Sequence, residues 1–394
     1  MDPVTHGLTG ALVGKAFFTG RQSSAPGAAE RARLAVYAAT LGSVFPDIDV
    51  LLGPITRSDL ATIELHRGFT HSFSGIPVFA MLLATLTRGY VRRRGLEGPS
   101  WGLLTVIYGL GISSHVLLDV ITSFGTMIGS PWNHTRVAWD LVSIVDFAMT
   151  AIVLLPHVLA RIYRVREGSS FRAARAWVIL TLCGVAAAGL VGAAGFPTSV
   201  WAVTAASMIF AVLCFLPARG NWGIRVHPST WARAGLLVLL AYLGLCAAAH
   251  RAALRRVEQF AAGHGLRVER VGALPLPPSA AHWDGLIRTP DGVYEMRLSL
   301  GSGNPGTEPL VYRFFPDAPP NQYIEAAQRL PKAQVYLWFA RFPVFRFEDR
   351  GDRKVLAISD LRFFGRAGRP GPFTFRVTFD AAGHVIQQTL ARAP

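Results

Sequence analysis

Hydrophobic positions along this chain gather into long runs, not into the short alternations of a soluble sheet protein. Apolar stretches cover about residues 4–20, 34–52, 71–88, 101–121, 141–160, 176–194, 199–217 and 233–250. Each is close to the ~20 residues that an α-helix needs to cross the hydrocarbon core of a bilayer. They predict an α-helical polytopic membrane bundle of about seven or eight spans. The first run is short and glycine-rich; it lacks a basic start and a small-residue cleavage site and carries Asp2 and His6, so it reads as a retained helix and not a signal peptide.

Past about residue 251 the pattern changes. Proline-rich breaks at 275–278 (PLPP) and 316–320 (PDAPP) separate segments rich in aromatic and β-branched residues, among them GVYEMRLSL, LVYRFFP, VYLWFARFPVFRF and FTFRVTF. These read as strands. The expected organisation is a membrane helical domain over 1–160, further transmembrane helices over 161–250, and a soluble domain over 251–394 with a mixed α/β, mostly antiparallel-sheet fold.

Composition agrees. Hydrophobic residues make up 51% of the 394 and charged residues only 16%, with a mean hydropathy of +0.35, which excludes disorder, a disulfide scaffold and an ordinary soluble enzyme. The net charge of +15 is almost all arginine. Much of it lies between the apolar runs, where the insertion machinery holds cationic loops in the cytoplasm, so topology accounts for it without nucleic acid as a partner. One alternating set of loops holds sixteen Lys and Arg, and the opposite set holds Arg57, Arg67 and Arg136. That places both termini and the C-terminal domain on the extracytoplasmic side; Arg251, Arg255 and Arg256, just after the last run, oppose the assignment. Cys183, Cys214 and Cys246 all fall inside apolar runs and read as packed hydrophobes.

An ionisable group near the centre of a spanning helix costs roughly 2.5 to 3.5 kcal/mol on insertion scales, so each calls for a reason. The first 150 residues hold nearly all of them: His6, Asp47 and Asp49 in FPDID, His66 and His71 in HRGFTHS, His115 and Asp119 in SSHVLLD, then Asp140 and Asp146. His115 and Asp119 are four apart and share a helix face, where one cation could take both; a bare hydrogen-bonded pair is the alternative. The two acids of FPDID can converge on one site or sit in a solvated turn, and Thr70 is placed to cap a helix beginning near His71. If successive helices alternate in direction, all these groups reach one membrane level on the outer side. Imidazole and carboxylate donors without thiolate suit Zn²⁺ ahead of Mn²⁺ or Fe²⁺, in an open catalytic site.

MDPVTHGLTG, FPDID, HRGFTHS and HVLLD, in that order ahead of further hydrophobic helices, resemble the YdjM/YbcI-type inner-membrane metal-dependent hydrolases over roughly residues 1–150. That family is considered distantly similar to the zinc-dependent phospholipase C and single-strand nuclease superfamily, whose helical cores bind zinc through His and Asp, including an H-x-x-x-D pair that His115 and Asp119 match. The resemblance implies a bacterial-type inner-membrane protein, with His6, Asp47, Asp49, His66, His71, His115 and Asp119 on the family's motif positions as metal ligands. No H-x-x-x-E pair follows Asp119, which favours one or two ions over a three-metal cluster.

The function expected from this is hydrolysis of a phosphoester or lipid-linked substrate by metal-activated water. Asp47 or Glu64 would accept the proton, and Arg67 would clamp a phosphate unless it is a solvated loop residue. The rivals are a proton or metal-ion transporter, which would favour polar groups in both halves of the chain, and a non-catalytic scaffold with a structural metal.

Overall fold

The structure is a computed structural model that describes residues 1–20, 27–56, 58–193, 198–300, 311–363 and 373–391. Of the positions used above, Arg21, Arg57, Leu310 and the side chain of Arg219 lie outside the described residues. The chain forms two compact units. The first consists of Met1–Pro46, Thr70–Asp119 and Ile144–Gly244, and the second of Asp47–Phe69, Val120–Ser143 and Leu245–Pro394.

The first unit is helical. Its helices are α1 (Pro3–Phe18), α2 (Ala28–Val44), α3 (Gly75–Arg93), α4 (Trp101–Val120), α5 (Phe147–Ile162), α6 (Ser169–Ala193), α7 (Val200–Phe215) and α8 (Pro228–Gly263), the last continuing beyond Gly244 into the second unit. Local chemistry sets several starts. Asp2 caps α1 by accepting from Thr5 N at 2.9 Å, with Pro3 in the first turn. Asp146 caps α5 by accepting from Met149 N at 2.9 Å.

Among the described residues five helices are long and apolar enough to cross a membrane, and a sixth span exists if the bent pair Ala61–His71 and Gly75–Arg93 is one. Only 6% of the apolar window of α6 and 11% of that of α7 is buried. Such helices, exposed and apolar all round, are stable only with lipid as the surrounding solvent. Where α5, α6 and α7 do meet, Leu159, Ile162, Tyr163, Ala173, Leu180 and Cys214 form a small core.

The tightest packing in this unit runs through glycine. A Cβ on Gly10 of α1 would lie 2.7 Å from Ala39 O, and one on Gly14 would lie 2.8 Å from Val36 Cα, both on α2. A Cβ on Gly111 of α4 would lie 2.5 Å from Ala39 O and 3.1 Å from Ser43 N, and one on Gly42 would lie 2.9 Å from Tyr108 O. α2 is thus gripped from both sides at backbone distance, the small-residue packing that replaces the hydrophobic effect between helices in lipid.

The second unit holds two four-stranded antiparallel sheets. One has the order β1 (Arg270–Leu276), β2 (His282–Thr289), β3 (Gly292–Ser299), β4 (Tyr312–Pro316); the other has the order β5 (Pro343–Asp349), β6 (Arg353–Asp360), β7 (Thr374–Asp380), β8 (Val385–Ala391). Helices α9 (Gln322–Gln328) and α10 (Pro331–Phe339) lie between them in the chain. The end of α8 covers the first sheet through Ala253, Val257 and Phe260 on Trp283, Ile287 and Met296. The second sheet buries Phe345, Leu356, Phe375 and Phe379 with Tyr336 and Phe339 of α10, and the same core takes Leu60, Ile63 and Phe124 from the two inserted segments.

The antiparallel sheets agree with the pattern read from the sequence, with one correction. The segment VYLWFARFPVFRF is not one strand: Val335–Phe339 is helical and only Pro343 onwards is β. Pro331 opens a helix in which Ala333, Tyr336 and Phe339 share a buried face, and a short apolar run carries no period that separates this from a strand.

Gly111→Val is expected to destabilise the protein in detergent by ~1–3 kcal/mol, the usual penalty for overpacking. Gly89→Val in α3, where a Cβ meets nothing within 4 Å, is the control. Equal melting temperatures for the two variants would remove the close approach as a constraint.

Candidate metal centre

The grip on α2 brings polar groups together one helical turn from the glycines. His6 precedes Gly10 on α1, Ser43 lies on α2, and His115 and Asp119 follow Gly111 on α4; all are buried. Ser43 ties the three helices. Its hydroxyl donates to His6 O at 2.7 Å, and its carbonyl accepts from His115 Nδ1 at 2.7 Å.

That second bond fixes the tautomer. With its Nδ1 proton given to Ser43 O, a neutral His115 turns the lone pair of Nε2 into the site, an arrangement typical of metal-bound histidine. Opposite stands His71, which a turn of 3₁₀ helix (Phe69–His71) delivers just before α3, with its Nε2 3.0 Å from His115 Nε2. Thr70 was the expected cap of that helix. Instead its Oγ1 lies 2.9 Å from His71 Nδ1, and Ser72 Oγ accepts from Gly75 N at 3.0 Å.

Asp119 is the hub. Its Oδ2 is 3.3 Å from His71 Nε2 and 3.4 Å from His115 Nε2, and its Oδ1 is 3.3 Å from His6 Nε2 and 2.5 Å from the Met1 nitrogen. His6 stacks on His115, with ring centroids 3.7 Å apart and planes at 14°. His71, His115 and Asp119 thus form a group of possible metal ligands within the first unit, while Asp47, in the 3₁₀ turn Phe45–Leu51, belongs to the second.

Three observations fit this group to a cation. Donors around a tetrahedral ion with bonds near 2.0 Å stand ~3.3 Å apart, and the separations here are 3.0, 3.3 and 3.4 Å. Neither ring nitrogen of buried His6 makes a hydrogen bond of acceptable geometry, a costly state for an imidazole kept from water. The donor set of imidazole and carboxylate, without sulfur, is one that Zn²⁺ accepts.

Other predicted ligands are held differently. Asp49 and His66 form a pair in the second unit: His66 Nδ1 donates to Asp49 Oδ1 at 2.8 Å, and Arg67 N donates to Oδ2 at 3.0 Å. Arg67 is not a solvated loop residue. It is buried, with a positive φ of 61°, donates from Nη1 to Thr122 Oγ1 at 2.9 Å, and lies over Phe124. Glu64 is exposed and accepts from Ser58 Oγ at 3.4 Å. The remaining acids have other partners: Asp140 pairs with Arg341, and Asp146 caps α5 and accepts from Tyr242 Oη at 2.8 Å.

The sequence reading passed over His157. Its Nδ1 lies 2.8 Å from Lys15 Nζ, and its Nε2 is 3.1 Å from Leu8 O. The only signal was a single histidine inside the apolar run 141–160, beside Pro156.

The family model of the YdjM inner membrane protein matches residues 1–194. Over that part the chain is similar to the YdjM inner membrane protein family. The YdjM region carries every member of the His/Asp group, whereas α7, most of the second unit and all eight strands lie outside it. No curated protein and no solved structure matches the chain.

Zinc analysis of protein purified without chelator is expected to show one or two ions per chain in the wild type and close to none in His115→Ala and Asp119→Ala, the loss of a direct ligand being at least as severe as the ~10–100-fold that outer-shell changes cost. Full metal content in both variants would dissolve the centre.

Proposed function

We propose that this inner-membrane protein is a metal-dependent hydrolase acting on a phosphoester, with a lipid-linked substrate favoured by the setting. The supporting observation is the convergence of His71, His115 and Asp119 within a bundle of apolar helices. Those three residues would hold the ion, with His6 stacked on His115. A bound divalent ion would supply an activated water and polarise the ester.

The protein's own residues divide the remaining work. The Ser43 carbonyl holds the His115 ring in one tautomer and orientation. Asp119, at the centre of the imidazoles, sets the charge of the site. Asp47 or Glu64 would accept the proton of the activated water. Arg67 has no part in this reading, since its Nη1 is given to Thr122.

The same reading includes the topology. α1 and α5 have 16 residues each, ~24 Å at 1.5 Å per residue, and cross with their flanking residues at the interfaces. Together with the five long helices and the bent pair they make eight crossings, so the His/Asp group and the sheet domain face the extracytoplasmic side.

Turnover decides the reading. Zinc-loaded protein in nanodiscs, offered a panel of phospholipids and lipid-linked phosphates, is expected to release phosphate or a phosphorylated headgroup, with a loss of at least ~100-fold in His115→Ala. Failure on every phosphoester with zinc bound would leave the metal without this reaction. For orientation, Ser58→Cys and Gly351→Cys are expected to react with an impermeant maleimide added outside intact cells or spheroplasts, and reaction only after the cytoplasmic face is opened would invert the topology.

A further inference from the structure

The second unit carries a feature with no role in the metal chemistry. A cavity of about 570 Å³ opens among Arg136, Arg270, Arg341, Arg362, Trp338 and Phe339, and no carboxylate lines it among the described residues. Two of the four guanidinium groups are neutralised from behind. Arg341 makes a two-pronged pair with Asp140 at 2.9 and 2.7 Å, and Arg362 pairs with Asp360 at 2.7 Å.

The other two are not neutralised. Arg136 spends its guanidinium on carbonyl oxygens, those of Gly125 at 2.9 Å, His66 at 3.0 Å and Ile63, while its Nε has no hydrogen-bond partner. It is packed against the faces of Trp338, Phe124 and Phe339, with centroids at 5.2, 5.3 and 5.5 Å. Arg270, on β1, donates only to Arg341 O at 3.3 Å and has no ion pair among the described residues. Burial, followed by the nearby charges of Arg67 and Arg362, pulls the Arg136 pKa down to about 9 against the opposing charge of Asp49, so the group is still cationic at neutral pH yet makes no ion pair among the described residues.

A half-enclosed cation without an anion is expensive, and a wall of arginines with aromatic faces is the surface that recognises phosphate. The volume lies within the range of small-molecule sites and exceeds the needs of a bare ion, leaving room beside Trp338 for the rest of the ligand. We propose that this cavity is a phosphate-binding site, with Arg136 and Arg270 contacting the anion and Trp338 covering the group attached to it. The site is independent of the hydrolase reading, because it is built wholly from second-unit residues and needs no metal. The phosphate belongs either to a soluble phosphorylated compound or to a lipid headgroup.

The full-length protein in phosphatidylcholine nanodiscs, with a chelator present, is titrated calorimetrically with inorganic phosphate and with glycerol 3-phosphate. Binding is expected in the wild type and in His115→Ala, and is expected to weaken about tenfold or more in Arg270→Gln and in Arg136→Gln, the scale of one lost charge-assisted contact. Arg270 is exposed, so its variant keeps the test valid even if Arg136→Gln does not fold. Phosphatidylglycerol in the nanodisc separates the sources: competition with glycerol 3-phosphate identifies a lipid headgroup, and no competition identifies a soluble ligand. No binding by the wild type at millimolar concentration overturns the proposal. So does binding unchanged in a folded Arg270→Gln, or binding lost in a folded His115→Ala.

Discussion

A carboxylate closed off among apolar helices has to be answered by polar partners, and Asp119 sets that demand for the whole first unit. Three imidazoles and the Met1 nitrogen answer it within 3.4 Å. They reach it because α1 and α4 both press on the backbone of α2, at Gly10, Gly14 and Gly111. Side chains at those positions would push the helices apart, and His6 and His115 would no longer lie in stacking contact. The centre therefore depends on helix packing before it depends on any ligand, and in lipid that packing has to come from close backbone approach.

Much of this was legible in the sequence because the membrane raises the cost of every polar residue. His115 and Asp119 stood out as an i, i+4 pair inside an apolar run, and His6, His71 and Asp47 as ionisable groups beside apolar runs. Asp49 and His66 carried the same signal and went elsewhere, since residue type and spacing cannot say which of two neighbouring acids turns toward a given helix. Asp47 and Asp49 are two apart, and in the 3₁₀ turn that carries them they do not share a direction. Asp140 and Asp146 stood out as ionisable groups for the same reason, and one is a counter-ion and the other a helix cap, roles that depend on Arg341 and Tyr242 some two hundred and one hundred residues away.

The sheet domain was legible as a class but not in detail. Aromatic and β-branched segments announced strands, and β3, β4 and β7 fall on them. The helix Pro331–Phe339 was hidden by a composition suited equally to either state; its fate is decided by Pro331 at the first turn and by burial of Tyr336 and Phe339 over the second sheet. The two inserted segments, which carry Asp47, Asp49 and His66, fall by sequence within the 1–160 membrane domain. Leu60, Ile63 and Phe124 show them to be part of the second unit's core, and nothing local in LATIE or TSFGT marks a residue as packing against a sheet two hundred residues later.

The two units treat buried charge in opposite ways. In the first, a negative carboxylate is encircled by groups that can also bind a cation, so the cost of burying it can be returned as affinity for metal. In the second, a positive guanidinium is held by carbonyl oxygens and aromatic faces, which offer it partial charge but no neutralisation. Both are states that a protein selected for stability alone would avoid, since apolar residues of similar volume would often serve as well or better. The Arg136 guanidinium, buried without an ion pair among the described residues, is therefore read as a receptor for an anion, and the His/Asp donors, spaced as around one ion, as a receptor for a cation. The family match ends at residue 194, so the His/Asp group lies wholly within the matched region and the arginine cavity draws mainly on sequence beyond it.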